Sequence, residues 1–231
     1  NDEIRQGLKL ERQLDGPDVT IPGLTPLGFT RAEAADVRSW KAGDIAIPTQ
    51  TQRSHELERD QIYSVVATND QTNSLVLRKA QSGKEVSLSL TQADRVSGTL
   101  RAYEPAERDF AANERVKFSI ADKEVSVING ARGRVIRIDA DSVSVRMDDG
   151  RTLALPRDGL AARGMDHVYA ATAHDFQGTT VDRIIIGMSA TEQMVSQKAF
   201  YVNISRMREE AILITTDVEG LTKRIEQNTG E

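Results

Sequence analysis

The sequence contains no cysteine, and that absence removes a disulfide framework and a thiolate metal site together. It also fits a reducing compartment. The three histidines, His55, His167 and His174, have no partners at metal-ligand spacing, so no metal centre is expected. Aromatic residues make up only 4% of the chain, which leaves little material for stacking bases. No apolar run approaches the roughly 20 residues that span a bilayer. No charged-then-apolar leader opens the chain. The expectation is a cytoplasmic protein without membrane insertion. A basic excess is missing too. Against 30 Lys and Arg stand 35 Asp and Glu, a net charge of −5, so any contact with nucleic acid has to be local. The first residue is Asn rather than Met, and the 231 residues read as a piece of something longer.

What is present falls into three stretches. Ile4, Leu8 and Leu14 recur at roughly helical spacing over residues 2–15, and Gly16-Pro17 ends that helix. A connector containing Pro22-Gly23 and Pro26 follows. Thr30 and Glu33 have capping-box spacing, which predicts a short helix over about 31–39. From Gly43 the period changes to two. Strands are predicted at 45–47, 63–66, 75–77 and 86–90, then at 115–118, 133–138, 142–146 and 151–155. Asn129-Gly130 and Asp149-Gly150 are turn signals in the second set. The two sets suggest tandem small antiparallel barrels and an internal duplication of architecture. Tyr63, Tyr103 and Phe118 read as their core. After Gly164 the pattern changes again. Residues 168–171 and 184–186 are short, apolar and unalternating, as buried parallel strands are. A helix capped by Ser196, a strand over 211–215 and a helix capped by Asp217 complete the chain.

No self-contained active site is legible. There is no Gly-x4-Gly-Lys-Ser/Thr loop, no Gly-x-Gly-x-x-Gly and no nucleophile elbow. The remaining candidates are Thr172, His174, the run Gln177-Gly178-Thr179-Thr180, and Ser205-Arg206. A Gln-Gly-Thr-Thr turn at a sheet edge offers N–H groups and hydroxyls that suit phosphate oxygens. An arginine beside it can neutralise charge that develops in phosphoryl transfer. The same spacing also fits a plain tight turn beside a salt-bridged surface arginine, and the residues alone do not choose.

Thr172-Ala-His-Asp-Phe-Gln-Gly-Thr-Thr-Val-Asp182 resembles motif V of superfamily 1 DNA helicases, in the branch of the exonuclease V alpha subunit. Tyr201-Val-Asn-Ile-Ser-Arg206 resembles motif VI of the same branch. Asn1 to Arg5, followed by Leu8, is similar to a helix near the start of the second motor domain in these enzymes. The two-barrel insertion most resembles the conjugative relaxase-helicases. The resemblance implies an α/β plus β fold: the C-terminal part of a parallel-sheet motor domain with an inserted β-rich region of one or two SH3-like barrels. The corresponding divisions are residues 1–40, the barrels 41–110 and 111–165, and the motor remainder 166–231.

The resemblance also implies residue roles. Arg206 matches the arginine that reaches the ATP γ-phosphate. Gln177, Gly178 and Thr180 match positions near the nucleotide. Thr172 and His174 match positions on the backbone of the single strand, and Thr179 is assigned with them. Asn203 stands where a small apolar residue is usual, which puts local helix packing in question. Asp175 stands where Lys is frequent. ATP and Mg²⁺ would belong to a longer parent, since motifs I to III are absent, and the fragment alone would bind neither. The implied partners are single-stranded DNA, the first motor domain of the same chain, and a coupling protein of a secretion system. The alternative is a non-catalytic module that holds single-stranded DNA or is recognised by the conjugative secretion machinery.

Overall fold

The computed structural model describes residues 2–11, 14–90, 97–172, 180–192 and 194–230. It divides into two units, Asn1–Tyr169 and Ala170–Glu231.

The first unit holds two antiparallel sheets. Six strands pair in the order β1-β6-β2-β3-β4-β5: β1 Asp15–Pro26, β2 Ile45–Pro48, β3 Tyr63–Asn69, β4 Ser74–Lys79, β5 Glu85–Ser89 and β6 Leu100–Ala112. Five more pair in the order β10-β9-β8-β7-β11: β7 Arg115–Phe118, β8 Arg132–Ile138, β9 Ser142–Met147, β10 Thr152–Pro156 and β11 Met165–His167. All eight strands expected between residues 45 and 155 are present. Helix α1 covers Asp2–Leu10, shorter than the expected 2–15. The capping box holds: Thr30 N–H donates to Glu33 Oε2 at 2.8 Å and Glu33 N–H to Thr30 Oγ1 at 3.3 Å. The helix it starts, α2 Arg31–Ala34, is short, and a 3₁₀ turn at Val37–Ser39 replaces its expected second half. A further short helix, α3 Leu160–Arg163, lies between β10 and β11.

Two strands differ from expectation. The proline-containing connector is strand β1, and residues 100–112 form its partner β6, which alternation did not mark. β1 is an edge strand, so Pro17 and Pro22 lack N–H groups on a chain paired along only one side. Pro105 is tolerated for a related reason. β6 pairs with β2 only over Leu100–Tyr103, so Pro105 sits past the stretch with neighbours on both sides.

The internal duplication is visible in the hydrogen bonds. Gly43 N–H donates to Val65 O at 2.9 Å and Val65 N–H to Asp44 O at 2.8 Å. Asn113 N–H donates to Val135 O at 2.9 Å and Val135 N–H to Glu114 O at 2.8 Å. The offset is a constant 70 residues (Gly43 to Asn113, Val65 to Val135). It recurs in the isolated bridges Gln52–Leu57 and Asp122–Val127, and in the bonds from Asp60 N–H to Pro48 O and from Gly130 N–H to Phe118 O. Gly43 and Asn113 both take positive φ, 98° and 68°, which suits glycine and is tolerated by asparagine. Phe118 and Val135 lie in one core, Tyr63 and Val65 in the other, and Tyr103 in a third cluster with Leu24 and Ile120. None of the three aromatics is available to stack on a base.

A carboxylate sits at the corresponding place in each repeat. Lys41 N–H donates to Asp44 Oδ2 at 2.7 Å, and Ala111 N–H to Glu114 Oε2 at 2.8 Å. Among the described residues, Glu114 gathers further partners and Asp44 does not. Arg5 Nε donates to its Oε1 at 2.7 Å, the Tyr169 hydroxyl donates to Oε1 at 2.8 Å, and His167 Nδ1 lies 3.4 Å away. Glu114 is fully buried and Arg5 nearly so. Burial and the bond to Glu114 push the Tyr169 hydroxyl well above its ordinary pKa. Arg5 also pairs with Asp18, which binds Lys9 in turn. The hydrogen bond from Arg5 holds the Asp18 carboxyl below the usual aspartate range.

Glu114→Ala should cost about 3–5 kcal/mol, because it breaks a buried ion pair and leaves the Arg5 guanidinium with the partly exposed Asp18 as its one carboxylate among the described residues; urea unfolding should show a lower midpoint. Asp18 is partly exposed, and its bond from Arg5 holds its carboxyl low. Its contribution is present above the ordinary carboxylate value, roughly pH 4, and is lost as pH falls through the lowered value. Asp18→Asn should therefore unfold more readily at neutral pH and lose less stability than the native chain below pH 4, read from urea midpoints across that range.

Candidate functional site

The second unit is built on a parallel strand pair, β12 Val181–Gly187 and β13 Met207–Ile214, joined through helix α4 Gln197–Ile204 and followed by helix α5 Val218–Gln227. Both helix starts are capped as expected. Ala199 N–H donates to Ser196 Oγ at 3.1 Å, and Gly220 N–H donates to Asp217 Oδ1 at 2.9 Å. Ile186, Met188, Val195 and Leu221 form the core, with Phe200, Ile204 and Ala211 packed against it. Asn228 ties the end of α5 to the start of α4: its Nδ2 donates to Val195 O at 2.8 Å, and its carbonyl accepts from Gln197 N–H at 2.8 Å.

Two expectations are corrected. Residues 168–171 form no strand; the strand nearby is β11, and it runs antiparallel to β7. The other concerns burial. Ile184 and Ile186 lie on the core face of β12, but Ile185 is 68% exposed. Ile185 pairs in register with Ile212, and Gly187 with Ile214, so these isoleucines share an uncovered face.

Arg206 follows the C-cap of α4, Ser205, and directly precedes β13. Its N–H donates to Asn203 O at 3.2 Å, and its carbonyl accepts from Val181 N–H at 2.9 Å. That second bond fixes Arg206 beside the start of β12, where exposed Thr180 precedes Val181. Arg206 and Thr180 are thus brought to one end of the strand pair. The helix around Asn203 is regular, and the Asn203 carbonyl closes its end.

The charges around this end differ. Arg208 donates to Asp182 at 3.2 Å, and Arg183 pairs with Glu210 at 3.5 Å, all on the surface. Arg206 is half-buried and makes no ion pair among the described residues. Among those residues its Nε is buried without a hydrogen-bond partner. A guanidinium held this way retains its charge and its directional N–H groups for an incoming anion.

Thr172 is exposed. His174, Gln177, Gly178 and Thr179 lie outside the described residues, as does Asp175. Among the described residues no group of three or more His, Asp or Glu side chains could hold a metal ion. No helix there is long and apolar enough to cross a membrane. The sequence reading missed the Glu114 cluster.

This arrangement, an arginine at the end of a parallel strand pair beside Thr180, accompanies similarity to DNA helicases. The chain is 23% identical over 231 residues to the multifunctional conjugation protein TraI of Escherichia coli, covering 97% of this chain and 12% of TraI. TraI of the K12 strain gives 24% over 219 residues, again 12% of its length. The ATP-dependent DNA helicase Pif1 of Bdellovibrio bacteriovorus is 30% identical over 107 residues, 41% of this chain and 24% of that protein. Among solved structures, Bacteroides Pif1 bound to single-stranded DNA aligns over 50% of this chain and 32% of its own, at 23% identity and a TM-score of 0.42. No family model matches the chain. The chain spans about an eighth of the length of its TraI relatives.

Proposed function

We propose that this chain is part of an ATP-dependent DNA helicase of the conjugative relaxase-helicase kind, contributing one wall of the nucleotide site and part of the single-strand track. In this reading residues 1–40 and 166–231 belong to the second motor domain. Residues 41–110 and 111–165 are SH3-like barrels inserted in it. Arg206 reaches the γ-phosphate from across a domain interface and stabilises charge on the transferring phosphoryl group. Gln177, Gly178 and Thr180 lie by the nucleotide, and Thr172, His174 and Thr179 hold phosphates of the strand. ATP and Mg²⁺ are held mainly by a first motor domain elsewhere in the parent protein.

The observation that carries the reading is Arg206. Its buried Nε lacks a partner among the described residues, its neighbours Arg183 and Arg208 are neutralised, and a backbone bond locks it beside Val181 at the start of β12. The similarity to TraI over nearly the whole chain supports the conjugative assignment.

The test is single-strand-stimulated ATP hydrolysis by the full-length protein. Arg206→Ala should lower turnover on the order of 10²-fold or more, with circular dichroism unchanged. An unaltered rate would overturn the finger role. Absence of hydrolysis in the native protein would favour the non-catalytic module.

A further inference from the structure

The duplication supplies an internal comparison for one surface. In the first repeat, the row of directly opposed residues across β2, β3, β4 and β5 reads Ile45, Ser64, Arg78, Glu85. Ile45 is buried, and Arg78 donates to Glu85 at 2.7 Å, so the row is neutral. In the second repeat the equivalent row across β7, β8, β9 and β10 reads Arg115, Arg134, Arg146, Thr152. Three arginines occupy adjacent strands of one sheet face.

All three point away from the core. Val116, Val135, Val145 and Met147 face inward, and the arginines alternate with them. Arg134 and Arg146 are exposed. In the next row Lys117 and Arg132, each with partners of its own, stand opposite one another on the same face. Among the described residues, carboxylates on it are Asp148, paired with Arg115 at 2.7 Å, and Asp166, 3.6 Å from Arg108. Neither Arg134 nor Arg146 makes an ion pair among the described residues; the contact of Arg134 is with the Asn113 carbonyl, at 2.6 Å.

Like charges directly opposite in a sheet are destabilising. The first repeat avoids the cost with Ser64 and with Glu85 beside Arg78. The second repeat incurs it twice, at Arg115–Arg134 and Arg134–Arg146, in a chain whose net charge is −5. Strands lie about 4.8 Å apart, so the row presents guanidinium groups along roughly 10 Å. Guanidinium groups bind phosphate oxygens through paired N–H donors.

We infer that the outer face of the second sheet is a single-stranded nucleic-acid backbone site, with Arg134 and Arg146 contacting successive phosphates. Its aromatic neighbours are buried in the cores, so it reads charge and not bases. The inference rests on the helicase reading above and extends it from the motor strands to one of the two repeats.

The experiment is fluorescence anisotropy of a labelled oligothymidylate titrated with the full chain at several salt concentrations. Arg134→Glu/Arg146→Glu should weaken binding at least tenfold at low salt. The milder Arg134→Gln/Arg146→Gln should lower the slope of log K against log salt by about 1.4, since each single-strand phosphate contact contributes about 0.7. Arg38→Glu/Arg78→Glu carries the same change in net charge on the first repeat and should shift affinity less than twofold. Equal losses in both reversal variants, or none in either, would overturn the site. Polyglutamate displacing the oligonucleotide as well as unlabelled DNA does would overturn it in favour of an acidic protein partner. Binding that survives loss of the arginines but falls with Thr172→Ala would overturn the site and leave the helicase reading standing. Absence of binding by the native chain would sink the site and the strand track together.

Discussion

Glu114 places a carboxylate at a point with no solvent access, and three segments of the first unit converge to satisfy it. A buried carboxylate is tolerated only with a cation and hydrogen bonds on its remaining lone pairs. Arg5 supplies the cation from α1, Ala111 an N–H from the end of β6, and Tyr169 a hydroxyl from the last residue of the unit. One side chain therefore joins segments more than a hundred residues apart in sequence. The first repeat keeps the local half of this device: Asp44 accepts from Lys41 N–H as Glu114 accepts from Ala111 N–H. The longer glutamate of the second repeat reaches the partners that α1 and Tyr169 bring.

The same divergence runs through the outer faces. With a shared hydrogen-bond scaffold, the two repeats have accepted different surfaces. In the first, Ile45 and Ile47 are covered and join the cluster with Leu24, Tyr103 and Leu160. In the second, the equivalent positions are Arg115 and Lys117. Duplication frees one copy to keep the packing while the other changes its charge. Fold alone would not have separated the two roles.

Much of this was legible in the sequence where signals are local. Two-residue periodicity, Asn129-Gly130, Thr30 with Glu33, Ser196 and Asp217 each act within a few residues, and each strand or cap they marked is present. β1 and β6 escaped because their prolines argue against strands until the edge position and the short β2 overlap are known. Residues 168–171 misled for the opposite reason: a short apolar run carries no sign of which sheet, if any, it joins. The Glu114 cluster was illegible because nothing in Asn113-Glu114-Arg115 says which charge turns inward. At the candidate site, the resemblance supplied Arg206 and Thr180, and the backbone bond between Val181 and Arg206 is what brings them together. The cross-strand arginine row could not be seen before register was known, since its members are separated by up to 31 residues.

The central claim is that Arg206 completes a nucleotide site formed between two motor domains. The most direct measurement is a structure of the full-length protein with a non-hydrolysable ATP analogue and a single-stranded oligonucleotide. The account predicts an Arg206 guanidinium nitrogen at hydrogen-bond distance, about 2.7–2.9 Å, from a γ-phosphate oxygen, with Thr180 in the same pocket. Nucleotide bound elsewhere, or Arg206 turned into an ion pair within its own unit, would contradict it.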